Sequence, residues 1–186
     1  RGIFFGGDPA DPGNMTSVEI ATTGNGSDFG SLANNLANCK GCASSTRGLI
    51  MGGGTPTIQS GIQGVIISSS GGVFDFGDLT EARNDTQAVA NNVRGISAGG
   101  NNPAKVTDIE FVTIASSGNT TNFGSLTVKR SMGGGSGDTT RGIIMGGGSG
   151  TNPASGEEKS IDFITIATLG DAQDFGDLAN AARTRT

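Results

Sequence analysis

The sequence predicts an all-β protein of four similar units of about 47 residues, each a short four-stranded antiparallel sheet. Three observations indicate this: a repeated Arg-Gly opening, a repeated Phe-Gly pair, and apolar alternation with a period of two between them. The openings lie 46, 47 and 47 residues apart, at Arg1, Arg47, Arg94 and Arg141. Such a period is typical of repeat architectures. We therefore divide one repeat domain, residues 1–186, into units 1–46, 47–93, 94–140 and 141–186.

The strand that opens each unit carries apolar residues on both faces. In the second unit Leu49 and Met51 point to one face of the predicted strand and Ile50 points to the other. This pattern is typical of a strand that is covered on both sides. We predict that the Arg-Gly strands lie between neighbouring sheets.

A second strand is predicted from apolar residues two positions apart, which place one face of a strand against the core. The pairs are Val18 and Ile20, Val65 and Ile67, Val112 and Ile114, and Ile164 and Ile166.

The third strand is centred on the Phe-Gly pair and is predicted to continue to a leucine three residues later. The rings, 47, 47 and 52 residues apart, are predicted core residues: Phe29, Phe76, Phe123 and Phe175. The longer last spacing indicates a short insertion, which we place in a loop at 150–159 because insertions are tolerated in loops.

A weaker fourth strand is predicted before each later arginine, at 39–44, 89–92 and 131–135. No such segment precedes Arg1, so one sheet is a strand short. The C-terminal residues 182–186 are polar and few, and we do not expect them to fill this place. We predict that the array is incomplete, or is closed by a strand from outside the chain, for example from a neighbouring subunit.

Four strands in a repeat of this length describe a β-propeller blade. The run Phe76-Gly77-Asp78-Leu79, followed by Arg83 and preceded by a glycine run after an apolar strand, resembles a kelch blade with Phe where kelch units usually carry Trp. Segments 140–143, 164–168 and 174–178 resemble glycine-rich, kelch-like arrays in virion proteins of tailed bacteriophages, especially marine ones. The resemblance implies a β-propeller-like array with a role at a particle surface or in a tail fibre.

The composition argues against several classes of protein. The chain has 34 glycines, a net charge of −5, and no His, Trp or Tyr. Because the basic residues are spread along the chain, we expect no nucleic-acid partner. The longest comparable apolar run is Val65-Ile66-Ile67, so we also expect no membrane span.

We expect no enzymatic activity and no cofactor. General acid or base catalysis has no His to use here, and no Ser or Cys has a visible base partner. A zinc site is disfavoured because the chain has only two Cys and no His. The pair Cys39 and Cys42 is interpreted either as a local disulfide or as two inert thiols, ahead of a redox centre.

The opening arginines are predicted to have a structural role. An arginine repeated in every unit commonly pairs with a carboxylate or with backbone carbonyls, and Asp28, Asp75 and Asp174 are candidate partners. We hypothesise that Arg47, Arg94 and Arg141 stabilise contacts between units. The alternative is an anion-binding ring that also includes Arg83, Arg130 and Arg183.

Four loops follow the glycine runs and differ in sequence while the framework repeats, so they are the predicted contact surfaces. They are 8–15, 55–63, 101–106 and 149–159, and their candidate binding residues are Asp8, Asp11, Asn14, Thr57, Gln59, Asn101, Asn102, Lys105, Asn152, Glu157 and Lys159. Asp8, Asp11 and Asn14 could together hold calcium, but an ordinary proline-rich turn is the favoured interpretation and no metal site is predicted.

These observations predict a non-catalytic structural or receptor-binding component of a virion fibre or other extracellular assembly. Its expected partners are a protein, a cell-surface glycan, or both, and we expect a homo-oligomer or part of a larger fibre. Two alternatives remain: a kelch-type adaptor for protein interactions, and a self-assembling extracellular filament subunit in which each copy lends a strand to the next.

Overall fold

The computed structural model describes residues 1–7, 13–54, 56–150 and 156–183, and within these ranges it contains β-strands and no helix. The strands form four successive antiparallel sheets, one for each unit. The predicted all-β repeat is therefore confirmed.

The strands follow the same order in each unit. The first sheet has three strands, β1 (Gly2–Phe5), β2 (Asn14–Val18) and β3 (Ser27–Ser31). The second sheet has four, β4 (Lys40–Ala43), β5 (Arg47–Met51), β6 (Gly61–Ile66) and β7 (Phe74–Asp78). The third has β8 (Gln87–Ala90), β9 (Arg94–Ala98), β12 (Asp108–Thr113) and β13 (Thr121–Ser125), with a small hairpin of β10 (Asn101–Asn102) and β11 (Ala104–Lys105) inserted after β9. The fourth has β14 (Gly134–Gly137), β15 (Arg141–Met145), β16 (Ser160–Thr165) and β17 (Gln173–Asp177).

The register of the paired strands is also repeated. In each unit the predicted apolar residue of the second strand lies opposite the glycine of the Arg-Gly pair, as in Val65 opposite Gly48 and Val112 opposite Gly95. A shift in register at each Phe-Gly pair adds one residue to the third strand, which is a β-bulge. The four units therefore share the pairing of their Arg-Gly strand, second strand and third strand.

Two strand boundaries differ from the prediction. The third strands end just before the leucines, which instead begin the following segment, with Leu79 and Leu126 buried there. The fourth strands β8 and β14 are displaced from the predicted 89–92 and 131–135 by a few residues. At β14 the reason is that Met132, two residues ahead of the strand, adopts a left-handed backbone with φ of 59°, which an extended strand does not allow. Strand β8 begins two residues earlier than predicted, directly after the segment in which Asp85 has φ of 55°.

The hydrophobic core lies between units. Each of three clusters joins one sheet to the next along the chain. In the first, Met15 and Phe29 of the first unit pack with Ile50 and Val65 of the second. Each unit is thus stabilised by its neighbours, as expected of a repeat array.

The Arg-Gly strands of the inner units are covered on both faces, as predicted. The adjacent residues Ile50 and Met51 are 1% and 0% exposed, and the adjacent residues Ile96 and Ser97 are both 0% exposed. The first strand differs, because Phe4 is 64% exposed. The face of the first sheet that a preceding unit would cover is open to solvent.

The last sheet is open on its opposite face. Phe29, Phe76 and Phe123 are buried as predicted, but Phe175 is 54% exposed, so its assignment to the core is wrong. Its ring contacts Phe163 at a centroid distance of 6.1 Å, and no sheet of the described residues packs over it. The array therefore has two unlike open ends.

Among the described residues the first sheet has three strands and not four, as predicted. A groove of about 360 Å³ lies beside β1, lined by Ile3 and Phe5 on one side and by Gly41 and Cys42 of β4 on the other. The segment after β17 packs on its own unit instead, because Gly147 N donates to Ala182 O at 2.7 Å. Completion of the first sheet by a strand from outside the chain stays a prediction.

Candidate functional site

The glycine runs that follow the Arg-Gly strands position the predicted contact loops. Gly52, Gly99 and Gly146 have φ between 59° and 63°, and a Cβ at each would lie 2.4–2.5 Å from the carbonyl oxygen of Arg83, Arg130 or Ala182. Only glycine permits this backbone and this approach. Each run is thereby fixed against the segment that follows the third strand of its own unit.

A row of backbone hydrogen bonds joins these segments from one unit to the next. Met132 N donates to Asp85 O and Asp85 N donates to Asn38 O, each at 2.9 Å. All three residues have φ of 55–59°. Left-handed backbone is costly for Met and more acceptable for Asn and Asp. The surface formed by this row and by the contact loops beside it is called the loop face.

A cleft of about 320 Å³ opens on the loop face where loops of three units meet. Ile58 comes from the second unit, Lys105 from the third and Arg183 from the fourth, and the remaining lining residues are Asn84, Asn101, Pro103, Ser131, Met132 and Gly148. It has the mixed apolar and polar lining of a small-molecule site. We call it the loop cleft.

Two cations give the loop cleft a positive character. Burial lowers the pKa of Lys105, and the nearby charges of Arg183 and Lys129 lower it further. The ammonium donates to Gly150 O, and Arg183 Nε lies 3.5 Å from Glu157 Oε1. An anionic ligand would relieve the repulsion between these cations.

Two buried oxygen atoms in the loop cleft have no hydrogen-bond partner in the described structure. They are Asn84 Oδ1 and Ser131 Oγ, and Ser131 is 0% exposed. Their backbones are fully engaged, since Asn84 pairs with Asn101 and Ser131 pairs with Gly148. Buried polar atoms are rarely left unpaired, so each of these two oxygens could accept from a donor group of a ligand that reached it.

The structure brings together some of the predicted contact residues and separates others. Asn101 and Lys105 line the loop cleft and Glu157 lies at its rim. Gln59 Nε2 instead donates to Thr57 Oγ1 at 3.0 Å within its own loop. Asn102 pairs with Ala104 in the small hairpin, Asn14 begins β2, and Lys159 is exposed after the fourth loop. Asp8, Asp11 and Asn152 lie outside the described residues.

Sequence reasoning missed Asn84 and Ser131 as site residues. Both stand eight positions after the third-strand phenylalanine of their unit, so alignment of the units could have shown that they occupy one structural position. Their side chains differ, however, and the approach of a neighbouring loop was needed to show that they share a cleft.

The opening arginines contact the next unit through backbone carbonyls. Arg47 Nη1 donates to Ile114 O at 3.0 Å and Arg94 Nη1 to Ile166 O at 2.7 Å. Arg141 has an exposed side chain over the Phe163 ring, 4.9 Å from its centroid. The predicted aspartate partners are wrong, because Asp28 and Asp174 each accept from the N–H two residues on and so hold the Phe-Gly bulge.

Arg83 and Arg130 do not form an anion-binding ring. Each makes a buried ion pair with the second strand of the next unit, Arg83 with Glu110 and Arg130 with Asp162. The carboxylates also accept backbone N–H groups, from Thr80 and Thr127 respectively, at 2.8 Å. The hydrogen-bonding capacity of both arginines and both carboxylates is therefore largely used within the protein.

Cys39 and Cys42 are free thiols, so the local disulfide allowed by their spacing is not formed. They pack on opposite sides of the second sheet, Cys39 against the cluster that contains Phe29 and Cys42 against the one that contains Phe76. Residues three apart on an extended chain point to opposite faces. Burial raises the pKa of Cys39 to about 11 and that of Cys42 to about 12, which leaves the interpretation as inert thiols.

Two searches of the described residues bear on other classes of site. No group of three or more His, Cys, Asp or Glu side chains that could hold a metal ion occurs among them. Nor does this part of the chain contain a helix with the length and apolar character needed to cross a membrane.

Comparison with known proteins gives no assignment, since no family model and no curated protein matches the sequence. The kelch-like and virion resemblances therefore stay predictions.

Proposed function

We propose that this chain is a non-catalytic structural and receptor-binding component of a virion fibre or another extracellular assembly, and that its loop face binds a cell-surface glycan. The observation that carries the proposal is the loop cleft, in which two cations and two unpartnered oxygens converge from separate units. A repeated scaffold with differing loops suits this role, because it holds a variable surface on a constant frame.

The chemistry of the loop cleft favours a carboxylated sugar over a neutral one. Lys105 and Arg183 supply positive charge for a carboxylate, and Asn84 Oδ1 and Ser131 Oγ accept from hydroxyl or amide donors. Ile58, Pro103 and Met132 supply apolar contacts, but none is the flat aromatic platform that many sugar sites use. We therefore expect weak binding of a single sugar, strengthened when several copies are present.

Saturation-transfer NMR with sialyllactose, and with lactose as the neutral probe, tests the proposal. Sialyllactose should give transfer to its acidic sugar and lactose should give little. Lys105→Ala and Ser131→Val should each remove most of the signal. Arg141→Ala, compared at a protein concentration where the chain is a monomer, is the matched control, because it removes one positive charge at the opposite end of β15 from the loop face.

Two outcomes would overturn the glycan proposal. One is the absence of transfer to sialyllactose at millimolar concentration, and the other is equal signal in Lys105→Ala and the unsubstituted chain. An adaptor role would be favoured instead if the loop face bound an acidic peptide and no sugar.

A further inference from the structure

At each internal junction one face of a sheet packs against the facing surface of the next sheet. The corresponding faces of the first and the last sheet are exposed. Phe175 is 54% exposed, whereas the corresponding rings are at most 3% exposed. Ile20 is 75% exposed, whereas Ile67 is half-buried and Ile114 and Ile166 are 1% and 0% exposed. We propose that the open face of the fourth unit binds the open face of the first unit in a second copy of this chain, head to tail. The proposal does not depend on the loop cleft or on its ligand.

The backbone contacts of the internal junctions define what such an interface requires. At each junction the N–H of a loop glycine donates to the carbonyl of the preceding unit's phenylalanine, from Gly71 to Phe29, Gly118 to Phe76 and Gly170 to Phe123, at 2.7–2.9 Å. The loop glycine stands four residues after the repeated isoleucine. Gly24 holds this place in the first unit, so its N–H is the matching donor for Phe175 O of another copy.

A side-chain contact is repeated beside this backbone bond. Asn119 Oδ1 accepts from Asp78 N at 3.0 Å, and Asp171 Oδ1 accepts from Ser125 N at 2.9 Å. The first unit has Asn25 at the same position. Its amide oxygen is therefore the matching acceptor for Asp177 N on the open face of the fourth unit.

The donor and the acceptor of the arginine contact are also present on the two open faces, one on each. Arg1, Arg47 and Arg94 donate to the carbonyls of Ile67, Ile114 and Ile166 in the following unit. Arg141 is the fourth arginine of the series and its side chain is exposed. Ile20 supplies the corresponding carbonyl on the open face of the first unit.

The new interface would have no charged residue at the two positions that form the buried ion pairs. The junctions bury Arg83 with Glu110 and Arg130 with Asp162, while the first junction has Leu36 and Gln63 at the same two positions. The two open faces have Ala182 and Thr16 there. Association would therefore bury no unpaired charge, which would otherwise be strongly unfavourable.

Close packing of glycine is the most specific feature of the junction. A Cβ at Gly30, Gly77 or Gly124 would lie 2.2–2.3 Å from a carbonyl oxygen of the next unit. Gly176 holds the same position on the fourth unit, and a Cβ there would meet nothing within 4 Å. A Cβ at residue 176 would meet no neighbouring atom in the single chain, although the φ of 134° makes an alanine there strained. In the assembly the same Cβ would also clash with the next unit.

Because the interface joins two different surfaces, repeated association produces a closed ring or a filament and not a symmetric dimer. Both open faces belong to one chain and both are exposed, so the four units do not close on themselves. The backbone bond and the arginine bond recur at all three internal junctions, and the side-chain contact at two of them. These contacts identify a further unit of this kind as the occupant.

Sedimentation velocity over a concentration series tests the proposal with three proteins. The unsubstituted chain should associate, with a mass that rises from 18.5 kDa to twice that value and beyond. Gly176→Ala should abolish association by blocking the last face, and Ile20→Lys should abolish it by charging the first face. Val93→Thr is the control: it removes an apolar residue that is 58% exposed at a turn, and Thr46 and Thr140 hold the same place in other units.

Mixing the two monomeric variants gives the decisive result. Gly176→Ala retains an intact first face and Ile20→Lys an intact last face, so the mixture should form one-to-one dimers that grow no further. A strictly monomeric unsubstituted chain would overturn the proposal, as would a mixture that stays monomeric or a Gly176→Ala variant that still associates. A circular dichroism spectrum like that of the unsubstituted chain, with a cooperative melt above the temperature of the experiment, would establish that each variant remains folded. The melt of Gly176→Ala should lie at a lower temperature because of the φ of 134° at that residue.

Discussion

Arg130 and Asp162 form an ion pair at 3.0 Å between the third and fourth units, and neither side chain is exposed to solvent. Arg130 also donates to Ser160 O and Gly146 O, while Asp162 accepts from Thr127. The pair therefore ties three segments of the array together. Its charges are compensated only by each other and by these hydrogen bonds, which makes it sensitive to the loss of one partner.

Removal of one partner of this ion pair should be strongly destabilising. Asp162→Ala leaves Arg130 buried without a counter-charge, and we expect a loss of about 3–5 kcal/mol in the free energy of unfolding. The double variant Arg130→Leu, Asp162→Gln reproduces the Leu36 and Gln63 combination of the first junction and should recover most of that loss. Urea denaturation of the three proteins measures both effects; a double variant less stable than Asp162→Ala would contradict the account.

The opening arginines provide a second test, because one member of the series lacks the next unit. Arg94→Ala removes a hydrogen bond to Ile166 O and a contact with the Phe111 ring, and we expect a loss of about 1–3 kcal/mol. Arg141→Ala removes the ring contact but no bond to a following unit, so its loss should be smaller. Thermal melting of dilute, monomeric protein measures the difference, and an unchanged melting temperature for Arg94→Ala would refute the inter-unit role.

Asp85→Asn should stabilise the protein at neutral pH. Burial raises the pKa of Asp85 above its ordinary value of 3.8, so the folded state disfavours the charged form and loses stability as pH rises through the raised pKa. Asparagine tolerates the same left-handed backbone, as Asn38 does at the equivalent position. The gain should be full above the raised pKa and vanish below pH 3.8; melting curves across this range that show no gain at neutral pH would contradict the assignment.

The two thiols should be free but slow to react in the folded protein. With pKa values of about 11 and 12, Cys39 and Cys42 carry little thiolate at neutral pH. We expect reaction with a thiol reagent to be at least ~100-fold slower than for an ordinary cysteine. Urea without reductant should release two reactive thiols, whereas a requirement for reductant would establish a disulfide instead.

Much of the fold could be predicted because each unit repeats the same local signals. Alternation of apolar residues predicted the second strand of each unit. The repeated Arg-Gly and Phe-Gly pairs predicted the positions of the first and third strands. The partners of Arg83 and Arg130 could not be predicted, since Glu110 and Asp162 belong to another unit and their pairing depends on how two sheets pack. By contrast, the separation of Cys39 and Cys42 followed from strand geometry and could have been anticipated.

The exposure of Phe175 shows a different limit. Its sequence context matches that of the three buried phenylalanines, yet burial comes from the unit that follows rather than from the unit that contains the ring. The loop cleft shows the same limit, because loops of neighbouring units complete the cleft around Asn84 and Ser131. Sequence repetition identifies equivalent positions, while their environment depends on where the array ends.

The central claim is that like sheets pack in order, each covering the phenylalanine of the one before. Its most direct test is the free energy of unfolding of four variants, Phe29→Ala, Phe76→Ala, Phe123→Ala and Phe175→Ala, measured in urea at concentrations where the chain is a monomer. The first three should each lose about 3–5 kcal/mol, and Phe175→Ala should lose far less because its ring is already half exposed. Equal losses at all four positions would contradict burial of each phenylalanine by the sheet that follows it.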